Sequence, residues 1–458
     1  MRSSRRCPPS ASVPLAGALL LCALTASAQS VPQLPPISLP PVPSAPGMLF
    51  APADVPALRA RRSRAPYDAW YNAFRSFVDA RLGRVSSALG DDALGRFAKA
   101  AAALHALGES PPSGPFASYR DAAAEAIIAM ADRSPNLLPG TGTLVPQYDS
   151  STLQCMAEAY DLLRGSGLPA ATDRAVRARI ATWASAVASD LPLSVNPSNI
   201  MAKAGAALVS TALALPGEAG AAGWLRTGLD YLDRVLADKL SPEGWWREGP
   251  HYANYTLNNL VSTAWHVRNR TGVDWFPTLR PLVRYALDAT APDGLLAPYE
   301  EGIAVSFPFH TLLAAYPGDP LQPEMAWAWS RSAGRLGSYL NQQQHDVTAF
   351  VFFDDGVAPQ PPASDTAASF VAGDENLVVL RSGRDRDAIH ASVLTAVDYS
   401  LLDVLPSRHN TRNPLDLVLY AGGHTLLPTA SGGPQITRSA NRSVYLSPAS
   451  RQTILVNG

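Results

Sequence analysis

The feature that most constrains this chain is a succession of alanine- and leucine-rich stretches with polar residues at helical spacing. They are Ala69 to Ala80, Leu94 to Leu107, Tyr119 to Ala131, Leu153 to Leu163, Arg174 to Ala188, Ala202 to Leu213, Ala222 to Ala237, Leu257 to Arg268 and Thr278 to Ala289. Apolar residues spaced three and four apart line one side of an α-helix, so each stretch commits a face to a neighbour. The connections are short and rich in Gly, Pro, Ser and Asp, which keeps consecutive helices adjacent and antiparallel. Such hairpins either close into an α/α toroid or run on as an open array. No TPR or ankyrin signature is present, and periodicity alone does not choose between the two.

Of 458 residues, 47% are hydrophobic and 16% charged, a composition that supports a buried core rather than disorder. The length allows about three domains. Lys and Arg number 37 against 38 Asp and Glu, without the basic excess of a nucleic-acid binder. No nucleic-acid partner is expected.

Arg2, Arg5 and Arg6, the apolar run Val13 to Leu24 and the small residues Ala26-Ser27-Ala28 before Gln29 read as a cleavable signal peptide over 1–28. This predicts a periplasmic or secreted protein. Leu21 before Cys22 does not suit a lipoprotein signal, and no later apolar run reaches the ~20 residues of a membrane helix. Cys7 and Cys22 leave with the signal, so Cys155 has no partner for an intramolecular disulfide. Residues 29–50 hold VPQLPPISLPPVPSAPG, whose prolines favour extended geometry and read as a tether outside the core.

A helical domain over 51–346 then gives way to a β-domain over 347–458. Its expected strands are VTAFVFFDDG, ENLVVLRSG, AIHASVLTAV, LDLVLYAGG, HTLLPTA, SVYL and QTILVNG, short runs punctuated by Gly, Asp and Pro as in an antiparallel sandwich. A sheet that stopped at Val456-Asn457-Gly458 would keep an unpaired edge, so the sandwich reads as partial or unusually small.

There is no GxxxxGK(S/T), CxxC, HExxH or GxSxG, which leaves phosphate loops, thiolate zinc, zincin proteolysis and the hydrolase elbow without support. Four polar clusters remain. In LPLSVNPSNIMAKAG, Asn196 and Asn199 precede or open a helix that Ser198 or Asn199 would cap. SPEGWWREGPHYANY, residues 241–255, sets Trp246, Arg247, Glu248, His251, Tyr252 and Tyr255 close together. Aromatic faces beside charged donors suit a sugar cleft, although core packing explains the Trp residues nearly as well. Asp293, Glu300 and Glu301 would serve either as the acid and base of a glycosidase or as a solvated turn. Arg408, His409, Asn410 and Arg412 precede a strand, where a histidine is more often structural than catalytic.

Taken together, SNIMAKAG, EGWWREGPHYANY, VVLRSG, RHNTRNPLDLVLYAGGHTLLPTASGG and RQTILVNG resemble the exported heparinase II/III superfamily of polysaccharide lyases, from about Ala51 onward. The resemblance implies an incomplete α/α toroid followed by an antiparallel β-sandwich, of which this chain would hold the first third, with an anionic polysaccharide or oligosaccharide bound between them. It also implies β-elimination at a uronic acid. The C5 proton α to the carboxylate becomes removable once donors neutralise that charge, and an acid must protonate the leaving O4. By residue, Asn199 matches the carboxylate-contacting Asn, with Ile200 where the family often has His. Tyr252 matches the catalytic Tyr, with Tyr255 the alternative, and His409 matches the first His of HxHxD. Arg247 and Glu248 would shape the cleft, and Arg247, His251 or Arg408 would supply the cation a tyrosine base needs. At the family's zinc positions stand Thr411, Thr429 and Arg451, so no metal or other cofactor is expected. A degenerate glycan binder and a glycosidase are the alternatives. The near-neutral net charge favours a carboxylated, unsulfated glycan such as alginate.

Overall fold

The computed structural model describes residues 33–86, 89–131, 146–190, 197–297, 299, 304–332, 342–362, 367–372, 375–396 and 416–427. The helices are α1 (Val55–Arg61), α2 (Tyr67–Asp79), α3 (Asp91–Ala106), α4 (Tyr119–Ile128), α5 (Pro146–Leu163), α6 (Ala170–Asp190), α7 (Asn199–Ala214), α8 (Ala221–Lys239), α9 (Gly249–Thr271), α10 (Phe276–Ala289), α11 (Phe309–Leu312), α12 (Leu321–Arg331) and α13 (Gln342–Phe352). Every stretch expected to be helical falls on one of α2 to α10. Among the described residues no helix is long and apolar enough to cross a membrane.

Helices α3, α5, α7 and α9 pack side by side as an inner layer, with α4, α6 and α8 behind them as hairpin partners. Small residues permit the close approach. A Cβ added to Gly205 of α7 would lie 2.8 Å from the carbonyl oxygen of Gly228 on α8, and one added to Gly228 would lie 2.8 Å from that of Gly205. The array closes through α13, which packs against α2 and α3. Its Phe352 ring also stacks on Trp265 of α9 with centroids 4.3 Å apart. First and last inner helices therefore share a neighbour, and the arrangement is a toroid rather than an open array.

That closure overturns one expectation. Val347 to Phe352 is helix, not the first strand. Phe350 meets the rings of Tyr67, Tyr71 and Phe74 at 6.2, 6.0 and 5.7 Å, while Phe352 faces α9. Burial on more than one side removes the polar positions that would betray helical periodicity.

The centre of the inner layer is polar. Lys99 of α3 lies 2.7 Å from the Glu158 carboxylate of α5, and His266 of α9 lies 3.1 Å from its other oxygen, with all three buried. Lys99 also donates to Thr348 of α13 at 2.9 Å. Ser210 of α7 sits 2.9 Å from both Thr263 and the Nδ1 of His266. Burial alone would raise the Glu158 carboxyl, but the charge of Lys99 and the partnership with His266 hold it below its ordinary value.

The proline-rich segment is not a free tether. Leu34, Met48, Leu49 and Phe50 are buried in the main core. The carbonyl of Pro35 accepts the Trp275 indole N–H at 2.9 Å, and Asp161 accepts the N–H groups of Gly47 and Met48 at 2.9 and 2.8 Å. Extended prolines leave backbone carbonyls and a few apolar side chains for the helices to hold, which composition does not reveal.

The sheet is an antiparallel meander in the order β1 (Ala367–Ala372), β2 (Glu375–Arg381), β3 (His390–Ala396), β4 (Asp416–Ala421) and β5 (His424–Leu427). Strands β2 to β5 coincide with expected runs. β1, AASFVA, is too poor in β-branched residues to have announced itself. SVYL and QTILVNG lie outside the described residues. Pairing sets Leu377 opposite Leu394, Val379 opposite Ser392 and Ser392 opposite Val418, and this face is buried while Leu380 points outward. Tyr299 donates to Ser392 at 2.5 Å, and Arg381 and Arg384 donate to the carbonyls of Asp288 and Leu287 at 2.6 and 3.3 Å. The sheet is thereby docked on the toroid beside the end of α10. The chain is a helical toroid followed by an antiparallel β-domain.

Candidate active site

Two helix starts meet at one end of the inner layer. Ser198 caps α7, its hydroxyl accepting the Met201 N–H at 3.5 Å, so Asn199 is the first helical residue. In the loop before α9, Trp246 bridges back to Leu240. Gly249 then takes φ 83°, a conformation a side chain would resist, and turns the chain into α9 with Pro250 in its first turn.

Glu248 joins these parts. Its carboxylate accepts the backbone N–H of Asn199 at 3.2 Å and the indole N–H of Trp246 at 3.3 Å. The first N–H groups of a helix have no partner within it, so a carboxylate there satisfies both hydrogen bonding and dipole. Because Glu248 takes the backbone donor, the Asn199 side chain is left for something else. The residue is 2% exposed, and its Nδ2 has no hydrogen-bond partner among the described residues.

One turn along α7, Lys203 is 3% exposed, with its ammonium 3.5 Å from the centre of the Tyr255 ring. Burial pushes this lysine down to about 7. A desolvated cation over an aromatic face gains about 2 kcal/mol, less than the several kcal/mol lost on taking an ion out of water. His251 and Tyr252 stand in the first turn of α9, their rings edge to face at 5.0 Å.

Of the residues expected to form the site, Asn199, Glu248, Trp246, His251, Tyr252 and Tyr255 are therefore gathered at the starts of α7 and α9. Trp246 is 1% exposed, so it acts here by holding Glu248 rather than by offering a face to a sugar. Arg247 is exposed between buried Trp246 and Glu248 and donates its backbone N–H to the Lys239 carbonyl at 3.0 Å. The cation beside a tyrosine is Lys203, which the motif reading passed over. Its signals were its rarity, one of three lysines in the chain, and its i+4 spacing from Asn199 in an otherwise apolar helix.

His409, Arg408, Thr411, Thr429, Arg451, Asn196, Glu300 and Glu301 lie outside the described residues. Asp293, the remaining member of the glycosidase alternative, accepts the N–H of Leu295 at 3.1 Å in a tight turn. Chemically, the cluster offers two buried nitrogen donors on one helix face, two phenols and an imidazole. That set can hold an anion and move a proton next to it.

No protein-family model and no curated protein matches the sequence. Solved structures do. A crystal structure of heparinase III aligns with a TM-score of 0.52 at 15% identity, over 80% of this chain and 55% of that one. Heparan sulfate lyase HepC from Pedobacter heparinus aligns at 0.48 and 15% identity, over 79% and 52%, and the heparinase III-BT4657 gene product at 0.49 and 14%, over 80% and 55%. The chain spans about half the length of these structures. The first likeness establishes the class of fold, a heparinase-like helical toroid followed by a β-domain.

Proposed function

We propose that the chain is a polysaccharide lyase that cleaves a uronic-acid-containing glycan by β-elimination. What supports this reading is the meeting of the starts of α7 and α9, where Glu248 holds Asn199 and Lys203 lies over the Tyr255 ring, with His251 and Tyr252 in the first turn of α9. The fold shared with heparinase III supports it. On this reading the Asn199 amide donates to the sugar carboxylate and draws off the charge that would otherwise accumulate when the C5 proton leaves. Tyr252 takes that proton, with Tyr255 the alternative within the pair, and His409 assists proton transfer or carboxylate neutralisation. The electrons of the C5–H bond form the C4–C5 double bond, the C4–O4 bond breaks, and O4 departs with a proton delivered by the tyrosine phenol that took the C5 proton or by His409. Arg408 is assigned to substrate binding on the same reading. Residues 1–28 direct export, which brings the enzyme to polysaccharides outside the cytoplasm.

The test is to incubate purified protein with alginate, hyaluronan, pectate and heparan sulfate and follow ultraviolet absorbance. Only elimination creates a conjugated unsaturated uronate. New reducing ends without that chromophore would assign hydrolysis instead.

A further inference from the structure

We infer that Lys203 is the specificity-determining charge of this site: its ammonium, together with the Asn199 amide, forms a subsite for the carboxylate of the bound sugar and selects acidic over neutral or esterified rings. The identity of the anion rests on the lyase reading above, whereas the subsite rests on geometry.

Each of the other two lysines has its counter-charge. Lys99 lies 2.7 Å from Glu158 and Lys239 lies 3.0 Å from Asp238. Lys203 is buried with an aromatic face under it, and no carboxylate among the described residues comes within ion-pair distance. Four residues before it, on the same face of α7, the Asn199 amide is buried with Nδ2 unmatched. Two such donors one helical turn apart on one face of α7 are available to the two oxygens of a carboxylate, the helix's own positive end being already occupied by Glu248. Tyr255 holds the ammonium in place without neutralising it.

The groups acting on Lys203 leave its charge available. Asp92 on α3 favours the charged form but is itself held by Arg96 at 2.8 Å, and the Cys155 thiol on α5 is pushed up to about 12 by burial and stays neutral. With its own value near 7, Lys203 is partly protonated at neutral pH. A bound carboxylate would capture the protonated form, so acidic sugar and proton bind together.

Two measurements on the full chain test this. With 13C-labelled lysine, three lysines give few resonances, and Lys203→Met identifies the one in question. Tetrasaccharides of alginate and of hyaluronan are the probes. We expect the Lys203 titration to move upward by about one unit or more with one of them, and no movement with either overturns the inference. Second, Lys203→Met should lower the preference in kcat/KM for a uronate polymer over its methyl ester by about 100-fold, with Lys203→Arg restoring part of it. Equal losses on acid and ester would mean a purely structural lysine and also overturn it. A protein whose Lys203 responds to the probes but which produces no unsaturated uronate would sink the lyase reading and leave the subsite standing.

Discussion

The backbone N–H of Asn199 and the indole N–H of Trp246 donate to the same carboxylate oxygen of Glu248, at 3.2 and 3.3 Å. A single side chain thus sets the start of α7 against the loop that launches α9. Charge-assisted hydrogen bonds of this kind contribute about 1.5–3 kcal/mol. Glu248→Ala should lower stability by about that amount in urea unfolding and reduce turnover, and Glu248→Gln, which keeps an acceptor, should recover part of both. An alanine variant as stable and active as the parent would contradict the assignment.

The buried trio Lys99, Glu158 and His266 ties α3, α5 and α9 around the toroid centre. Removing one partner of a buried pair leaves a charge with nothing to answer it, at a cost of about 3–5 kcal/mol. Glu158→Gln should destabilise the protein by that order in denaturant unfolding, and the double variant Lys99→Met, Glu158→Met should recover much of the loss. If the double variant is no better than the single, the trio is not an electrostatic unit.

His310 packs against two indoles, 4.5 Å from Trp329 and 6.1 Å from Trp70 by ring centroids, and burial pushes it down to about 3. His390 is pushed to about 3 by burial and by Arg381 and Arg384. Both are neutral in the folded protein and charge in the unfolded chain below its ordinary value near 6.5. The unfolded state therefore binds more protons between about pH 6.5 and 3, and stability falls with acid across that window. Each histidine contributes up to about 1.4 kcal/mol per pH unit. His310→Phe should flatten this slope and stabilise the protein at pH 5, as read by urea midpoints. An unchanged slope would refute the assignment.

Asp161 anchors the proline-rich segment through Gly47, Met48 and an ion pair with Arg270. Asp161→Ala strands two backbone donors and a guanidinium, and we expect a loss of about 3 kcal/mol or more. Limited proteolysis should then cut within residues 33–47 before the helices. Cleavage starting elsewhere, with full stability retained, would show that the segment is not held this way.

Most of the helical array was legible because α2, α8 and α10 keep polar residues at helical spacing opposite their buried ones, while alanine marks the nearly fully buried α3 and α7 as helix formers. Val347 to Phe352 escaped that logic because α13 is covered on more than one side and its sequence loses contrast. The packing of Leu34 and Met48 escaped because extended proline segments carry no period. At the site, the chemical variety of Trp246 to Tyr255 marked the right place, yet only the fold shows that Arg247 faces outward while Glu248 and Trp246 support Asn199. Lys203 went unmarked since a lysine within an apolar helix reads as an exception until the ring beneath it and the missing counter-charge are seen.

The most direct test compares Tyr252→Phe and Tyr255→Phe with the parent protein on a uronate polysaccharide, reading the unsaturated product by its ultraviolet absorbance and binding by calorimetry. The account predicts product from the parent and none from Tyr252→Phe, with binding mostly retained in that variant. Loss confined to Tyr255→Phe would move the proton-transfer role to the partner tyrosine beneath Lys203. Absence of unsaturated product from the parent on every uronate polysaccharide would contradict the central claim.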